Sequence, residues 1–163
     1  IAFSALKILL NKVDEKKFLK MAINLKLSGR FDIRKMAGKS VIFDVAHTKN
    51  SMENLVRALR KNFPKRSFVF LVALMKGKDA KSIIEIASRF AEKVIFTSAH
   101  EIRGVPAQEL LEIAKALNLQ CKNSVSQKPE IAFKSLLQQT KKNQLLVVTG
   151  SHFLVGKLLV KEA

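Results

Sequence analysis

The chain has 163 residues, 48% hydrophobic and 26% charged, which fits one globular domain or one domain plus a fragment of another. Its single cysteine, Cys121, excludes an intrachain disulfide and a four-cysteine metal site, and a lone thiol fits a reducing, cytoplasmic setting. No apolar run approaches the roughly 20 residues that a membrane-spanning helix needs.

The formal net charge of +17 raises the question of a nucleic-acid partner, because clustered Lys and Arg bind phosphates by releasing their counterions. The lysines are instead scattered, as at Lys12, Lys20, Lys61, Lys93, Lys122 and Lys141, with no dense basic run interleaved with aromatics. The charge therefore reads as general lysine richness. A basic nucleic-acid-binding module stands as the alternative reading, not the leading one.

Residues 1–10, IAFSALKILL, read as helical. Asp14 is placed to cap a second helix with Phe18, Met21, Ala22 and Leu25 on one face, and Ser28-Gly29 breaks the pattern. This helix pair has no strands of its own to pack on. With Ile1 rather than Met at the start, residues 1–28 are expected to be the helical tail of a preceding domain, and residues 29–163 a domain of their own.

RFDIR alternates as a short strand does, with Met36-Ala37-Gly38-Lys39 as its turn. SVIFDVA is an apolar strand broken only by Asp44, and Asn50 with Glu53 has the spacing of a capping box for the next helix. Met52, Leu55, Val56, Leu59 and Phe63 mark that helix's apolar face. The unit then recurs. SFVFLVAL precedes a helix with Ile83, Ile86, Ala87 and Phe90. KVIFTSA precedes one opened by Pro106 and carrying Leu110, Ile113, Ala114 and Leu117. LQCKNSV precedes a helix that starts at Pro129, with Ala132, Phe133, Leu136 and Leu137, and QLLVVTG leads to a closing helix. Strands without polar alternation, separated by helices at roughly 25-to-30-residue spacing, predict a Rossmann-like, doubly wound α/β sheet that is mostly parallel.

In such a sheet ligands bind beyond the carboxyl ends of the strands. That edge is predicted to gather Asp44 and His47, Met75-Lys76-Gly77-Lys78-Asp79, Thr97 with Arg103, and Thr149-Gly150-Ser151-His152. Each has a plainer account: Asp44 can bond nearby amides, His47 can be a satisfied loop histidine, Asp79 and Ser151 can cap helices, and Gly150 can serve a turn. Convergence on one edge is what favours function. No GxxxxGK[ST] or GxGxxG loop, nucleophile elbow, HExxH or paired-cysteine motif occurs.

SGRFDI, VIFDVAHTKNSMENLVRAL, LVALMKGKD, VIFTSAHEIRGVPAQEL and LLVVTGSHFLVGKL, in that order, resemble the carboxyl-terminal domain of bacterial folylpolyglutamate synthase/dihydrofolate synthase, in the Mur-ligase superfamily. The family's Asp-Gly-Ala-His-Asn-Pro is similar to Asp44-Val45-Ala46-His47-Thr48-Lys49, with Val45 and Lys49 departing. Its Pro-Gly-Arg is similar to Ser28-Gly29-Arg30. Its Gly-Ser-Leu-Tyr-Leu-Val-Gly is similar to Gly150-Ser151-His152-Phe153-Leu154-Val155-Gly156, which lacks the tyrosine hydroxyl. Arg30, Asp44, His47, Ser151 and Gly156 carry over.

The resemblance implies ATP-dependent addition of L-glutamate to dihydropteroate or folate through an acyl phosphate. It implies that Arg30 and His47 reach ATP phosphates, that Asp44 binds or orients His47, and that Ser151 and Gly156 help hold glutamate. The expected partners are ATP, glutamate, the folate or dihydropteroate acceptor, and the amino-terminal ATPase domain of the same polypeptide. That domain would supply the phosphate loop and most Mg2+ ligands, so no ligase activity is expected of the isolated chain. A Mur-type ligase for a cell-wall precursor is the neighbouring alternative.

Overall fold

The computed structural model describes residues 14–24 and 27–160. The helix expected over residues 1–10 lies outside them. Helix α1, Glu15–Asn24, begins where Asp14 Oδ1 accepts the Lys17 N–H at 3.1 Å, the expected cap. Of its expected apolar face, Phe18 is half-buried, and the side chains of Met21, Ala22 and Leu25 lie outside the described residues.

Six strands form one sheet in the order β1-β2-β6-β3-β4-β5. Strand β1 (Asp32–Met36) runs antiparallel to β2 (Lys39–Phe43), and the two-residue link Ala37-Gly38 has both φ angles positive, at 47° and 75°. That is the hairpin turn whose twist suits two paired strands. Strands β2, β6 (Gln144–Thr149), β3 (Ser67–Val72), β4 (Lys93–Phe96) and β5 (Lys122–Val125) are parallel. The mostly parallel α/β sheet read from the sequence is therefore the fold, with an antiparallel edge strand.

The order also fixes which side each helix takes, since parallel crossovers are right-handed. The steps from β2 through β3 and β4 to β5 run one way across the sheet. They place α2 (Lys49–Asn62), α3 (Ala80–Phe90) and α4 (Ala107–Ala116) together on one face. The return from β5 to β6 runs the other way, so α5 (Pro129–Gln139) and α6 (His152–Val160) cover the opposite face. Strand β3 feeds both layers, as its period of two requires. Phe68, Phe70 and Val72 pack with Met52, Leu59, Ile83 and Leu110, while Val69 and Leu71 pack with Phe133, Leu136 and Leu154. Apolar residues on both faces explain the absence of alternation in these strands.

Two local expectations are corrected. The capping box of α2 is Thr48 with Ser51, not Asn50 with Glu53: Thr48 is extended (φ −132°, ψ 161°), its Oγ1 accepts the Ser51 N–H, and Ser51 Oγ accepts the Thr48 N–H at 2.9 Å. Asn50 already lies inside the first turn, too late to cap. Pro106 is the residue before α4, not its first helical position, because its ψ of 137° is extended. Pro129 opens α5 as expected.

Candidate functional site

The carboxyl ends of β2, β6, β3 and β4 form one edge, and each contributes a loop to it. Asp44 continues β2 by donating its N–H to the Val148 carbonyl at 3.0 Å. Its carboxylate then turns back: Oδ2 accepts the Phe31 N–H at 2.8 Å and Oδ1 accepts the Ala46 N–H at 2.9 Å. Burial pushes this carboxyl above the usual range, against the opposing pull of the two amides and the Arg30 guanidinium. Asp44 thus fastens the segment carrying Arg30 onto the end of β2.

Val45 is buried against α6, donates its N–H to Gly29 O at 2.9 Å, and packs where Gly29 has room for no side chain: a Cβ there would meet Val155 at 2.9 Å and Val45 at 3.4 Å. The valine that departs from the family pattern is a core residue. Its carbonyl meets His47 Nδ1 at 2.8 Å. A carbonyl only accepts, so Nδ1 carries the proton, and Nε2, without a hydrogen-bond partner among the described residues, is the nitrogen left for chemistry. The expectation that Asp44 orients His47 directly is corrected. The Val45 carbonyl holds the ring, and both Asp44 oxygens are taken by amides.

Strand β6 reaches the same edge through Gly150, whose φ is 98° and whose added Cβ would lie 2.4 Å from the Ala73 carbonyl. Only glycine permits this approach. Ser151 follows, buried, with Oγ accepting the Phe153 N–H at 3.1 Å, so its side chain caps α6. His152 begins that helix, and its ring centroid stands 5.3 Å from that of His47. Burial lowers the His152 pKa, and the charges of His47, Arg30 and Lys78 lower it further. Gly156 lies in α6 with open space where a Cβ would go, so packing does not require glycine there.

The loop after β4 joins in through backbone bonds: Lys76 N–H to Arg103 O at 2.9 Å and Val105 N–H to Leu74 O at 2.9 Å. Arg103 stacks over the Phe153 ring at 5.0 Å, and His100 meets the same ring edge-on at 5.1 Å. All 3 histidines of the chain, His47, His100 and His152, therefore sit on this one edge. Asp79 is a helix cap, accepting the Ser82 N–H at 3.1 Å. Sequence reasoning placed Asp44, His47, Ser151 and Arg103 on the edge correctly. It placed His152 there as well, but missed the contact between the His47 and His152 rings and the stack of Arg103 and His100 on Phe153.

Arg30 and Lys78 bring positive charge to the His47 and His152 imidazoles, an arrangement suited to a polyanion. Magnesium fits less well. Asp44 is already engaged, and among the described residues no group of three or more His, Cys, Asp and Glu is placed to hold a metal ion. Flanking concavities of about 490 Å³ beside Arg30 and about 560 Å³ beside His100 are not lined by His47 or His152. Of the pair, His47 is half-buried and His152 is exposed.

The fold is a doubly wound, mostly parallel α/β domain whose strand carboxyl ends gather cationic and imidazole side chains. The chain belongs to the family described as Mur ligase, glutamate ligase domain, whose model matches residues 29–152. It is 28% identical over 114 residues to the UDP-N-acetylmuramoyl-L-alanyl-D-glutamate--2,6-diaminopimelate ligase of Prochlorococcus marinus (strain NATL2A), covering 68% of this chain and 22% of that protein. It is 26% identical over 142 residues to the dihydrofolate synthetase of Saccharomyces cerevisiae, covering 80% of this chain and 32% of that protein.

The fold is that of Mycobacterium tuberculosis folylpolyglutamate synthase complexed with ADP, with a TM-score of 0.81 at 16% identity over 92% of this chain and 35% of that one. Thermotoga maritima folylpolyglutamate synthase gives a TM-score of 0.74 at 28% identity over 93% of this chain and 35% of that one. The chain thus spans between 22% and 32% of these two curated relatives. Among the described residues no helix is long and apolar enough to cross a membrane.

Proposed function

We propose that this chain is the carboxyl-terminal part of a cytoplasmic, ATP-dependent amide ligase that adds L-glutamate to dihydropteroate or folate. Residues 1–28 would close a preceding ATPase domain and residues 29–163 would form the ligase domain. The observation that carries the reading is the His47 ring, fixed by the Val45 carbonyl with Nε2 unpartnered among the described residues, on the edge that also holds Arg30 and Lys78, in a chain of this family.

The reaction has two steps. An acceptor carboxylate oxygen attacks the γ-phosphorus, ADP leaves, and an acyl phosphate forms. The glutamate amine then attacks the acyl carbon, phosphate leaves, and the amine's proton is lost. Negative charge builds on phosphoryl oxygens in the first step, and fixed cations and donors aimed at them lower the barrier. Arg30 would serve as the fixed cation, and His47 as a donor from Nε2 when that nitrogen is protonated as well as Nδ1. Asp44 would hold the Arg30 segment in place through Phe31. Ser151 and Gly156 would lie along the glutamate path. Magnesium ligands and the phosphate loop would come from the preceding part of a longer polypeptide, so the isolated chain would not ligate.

A Mur-type ligase acting on a cell-wall precursor is the second reading, favoured by the 28% likeness to a diaminopimelate-adding relative. Assaying the longer polypeptide for ATP-dependent joining of labelled glutamate to dihydropteroate or tetrahydrofolate, and of diaminopimelate to a muramoyl dipeptide, separates the two. Glutamate incorporation that His47→Ala lowers at least tenfold supports the first reading. Diaminopimelate incorporation alone supports the second, and neither product refutes both.

A further inference from the structure

We propose that His152 is a second imidazole contact for the phosphates bound at this edge, and that it takes up a proton as they bind. The proposal rests on the ligase reading and adds to it a residue that the family resemblance does not supply, since that position resembles a leucine.

The geometry is specific. His47 follows β2 and His152 follows β6, neighbouring parallel strands, and their rings stand 5.3 Å apart at 59°. An anion reaching the unpartnered Nε2 of His47 therefore comes within reach of the second ring. Among the described residues, the charges that act on His152 come from His47 after β2, Arg30 before β1 and Lys78 after β3, and each disfavours its protonation. The carboxylate of the neighbourhood, Asp44, is already bound to two amides. His152 also opens α6, a helix of 9 residues, where the helix dipole disfavours a cation and favours an anion. His152 is exposed, and partial desolvation and these charges lower its pKa in the free protein, which favours the neutral ring. A polyphosphate reverses the balance, because it neutralises Arg30 and Lys78 and accepts a bond from a protonated ring.

Linkage gives the consequence. A proton bound more tightly in the complex than in the free protein makes affinity rise as pH falls between the two His152 pKa values, by up to tenfold per pH unit for one proton. The test titrates the imidazoles of the 163-residue chain by NMR with and without saturating inorganic triphosphate, and measures Kd at pH 6 and pH 8. The expected result is a His152 pKa raised by about one unit, worth tenfold in affinity. Through a fall in affinity at pH 6, both His152→Leu and His152→Gln should lose most of that pH dependence. His100→Gln, on the Phe153 stack, should keep it.

An unmoved His152 resonance in the bound state overturns the proposal, as does undiminished pH dependence in both His152 variants or a lack of triphosphate binding at either pH. These outcomes are independent of glutamate incorporation by the longer polypeptide, so a failure here is distinguishable from a failure of the ligase reading.

Discussion

Asp44 accepts the backbone N–H of Phe31 at 2.8 Å, and Phe31 holds a left-handed φ of 48°. A non-glycine residue in that region costs roughly 1–2 kcal/mol, and the half-buried carboxylate keeps it there. Asp44→Asn leaves one acceptor oxygen for two amides. The orphaned N–H should cost about 1–3 kcal/mol, measured by urea unfolding. The cost should also depend on pH. Burial raises the folded pKa of Asp44 above its unfolded value of 3.8, so the folded state holds this proton more tightly. Its contribution to stability is fully present below the unfolded pKa and is lost as pH rises through the folded pKa. The penalty of Asp44→Asn should therefore be larger near pH 3 than near pH 6.

Gly150, at the end of β6, and Gly156, within α6, should respond in opposite directions. Gly150→Ala forces a Cβ to 2.4 Å from the Ala73 carbonyl at a φ of 98°. It should destabilise by about 2–4 kcal/mol or prevent folding. Gly156→Ala has open space and a helical backbone, so it should stabilise by about 0.5–1 kcal/mol. Thermal unfolding reads both. A fall in glutamate incorporation with Gly156→Ala, despite higher stability, would support its place on the glutamate path.

The hairpin offers a gain. Ala37 sits at φ 47° beside Gly38 in the turn between β1 and β2, a position that Asn fills at lower cost. Ala37→Asn should raise Tm by roughly 2–4 °C, the shift expected of about 1 kcal/mol in a chain of this size.

Phe153 is 41% exposed, with Arg103 over its face and His100 at its edge. Phe153→Ala should cost about 1–2 kcal/mol for the lost aromatic and cation contacts. Phe153→Tyr, which restores the hydroxyl of the family pattern, should leave unfolding within about 0.5 kcal/mol of the parent chain. A change in glutamate KM in the Phe153→Tyr variant would then report on the site and not on the fold.

The fold was legible because parallel strands buried on both faces drop alternation and because Leu110, Ala114, Phe133 and Leu136 keep helical spacing. The edge was legible because topology alone places strand ends there. The bonding within it was not. Asp44 reads as a partner for His47 three residues away, yet its amides come from Ala46 and from Phe31, across a turn that local pattern cannot bridge. The cap of α2 went to Thr48 and Ser51 because the helix starts at Lys49, and start points vary by a residue or two against any sequence signal. The histidine pair depends on β2 and β6 being neighbours, a relation between distant parts of the chain.

Strand β6 is synthesised after every other strand, yet it lies between β2 and β3. Until Gln144–Thr149 emerges from the ribosome, the inner edges of β2 and β3 lack the strand that pairs with them in the sheet. A stop codon before Gln144 would leave both edges open to pairing with other chains, so nonsense lesions in this stretch should yield aggregates, not shortened domains.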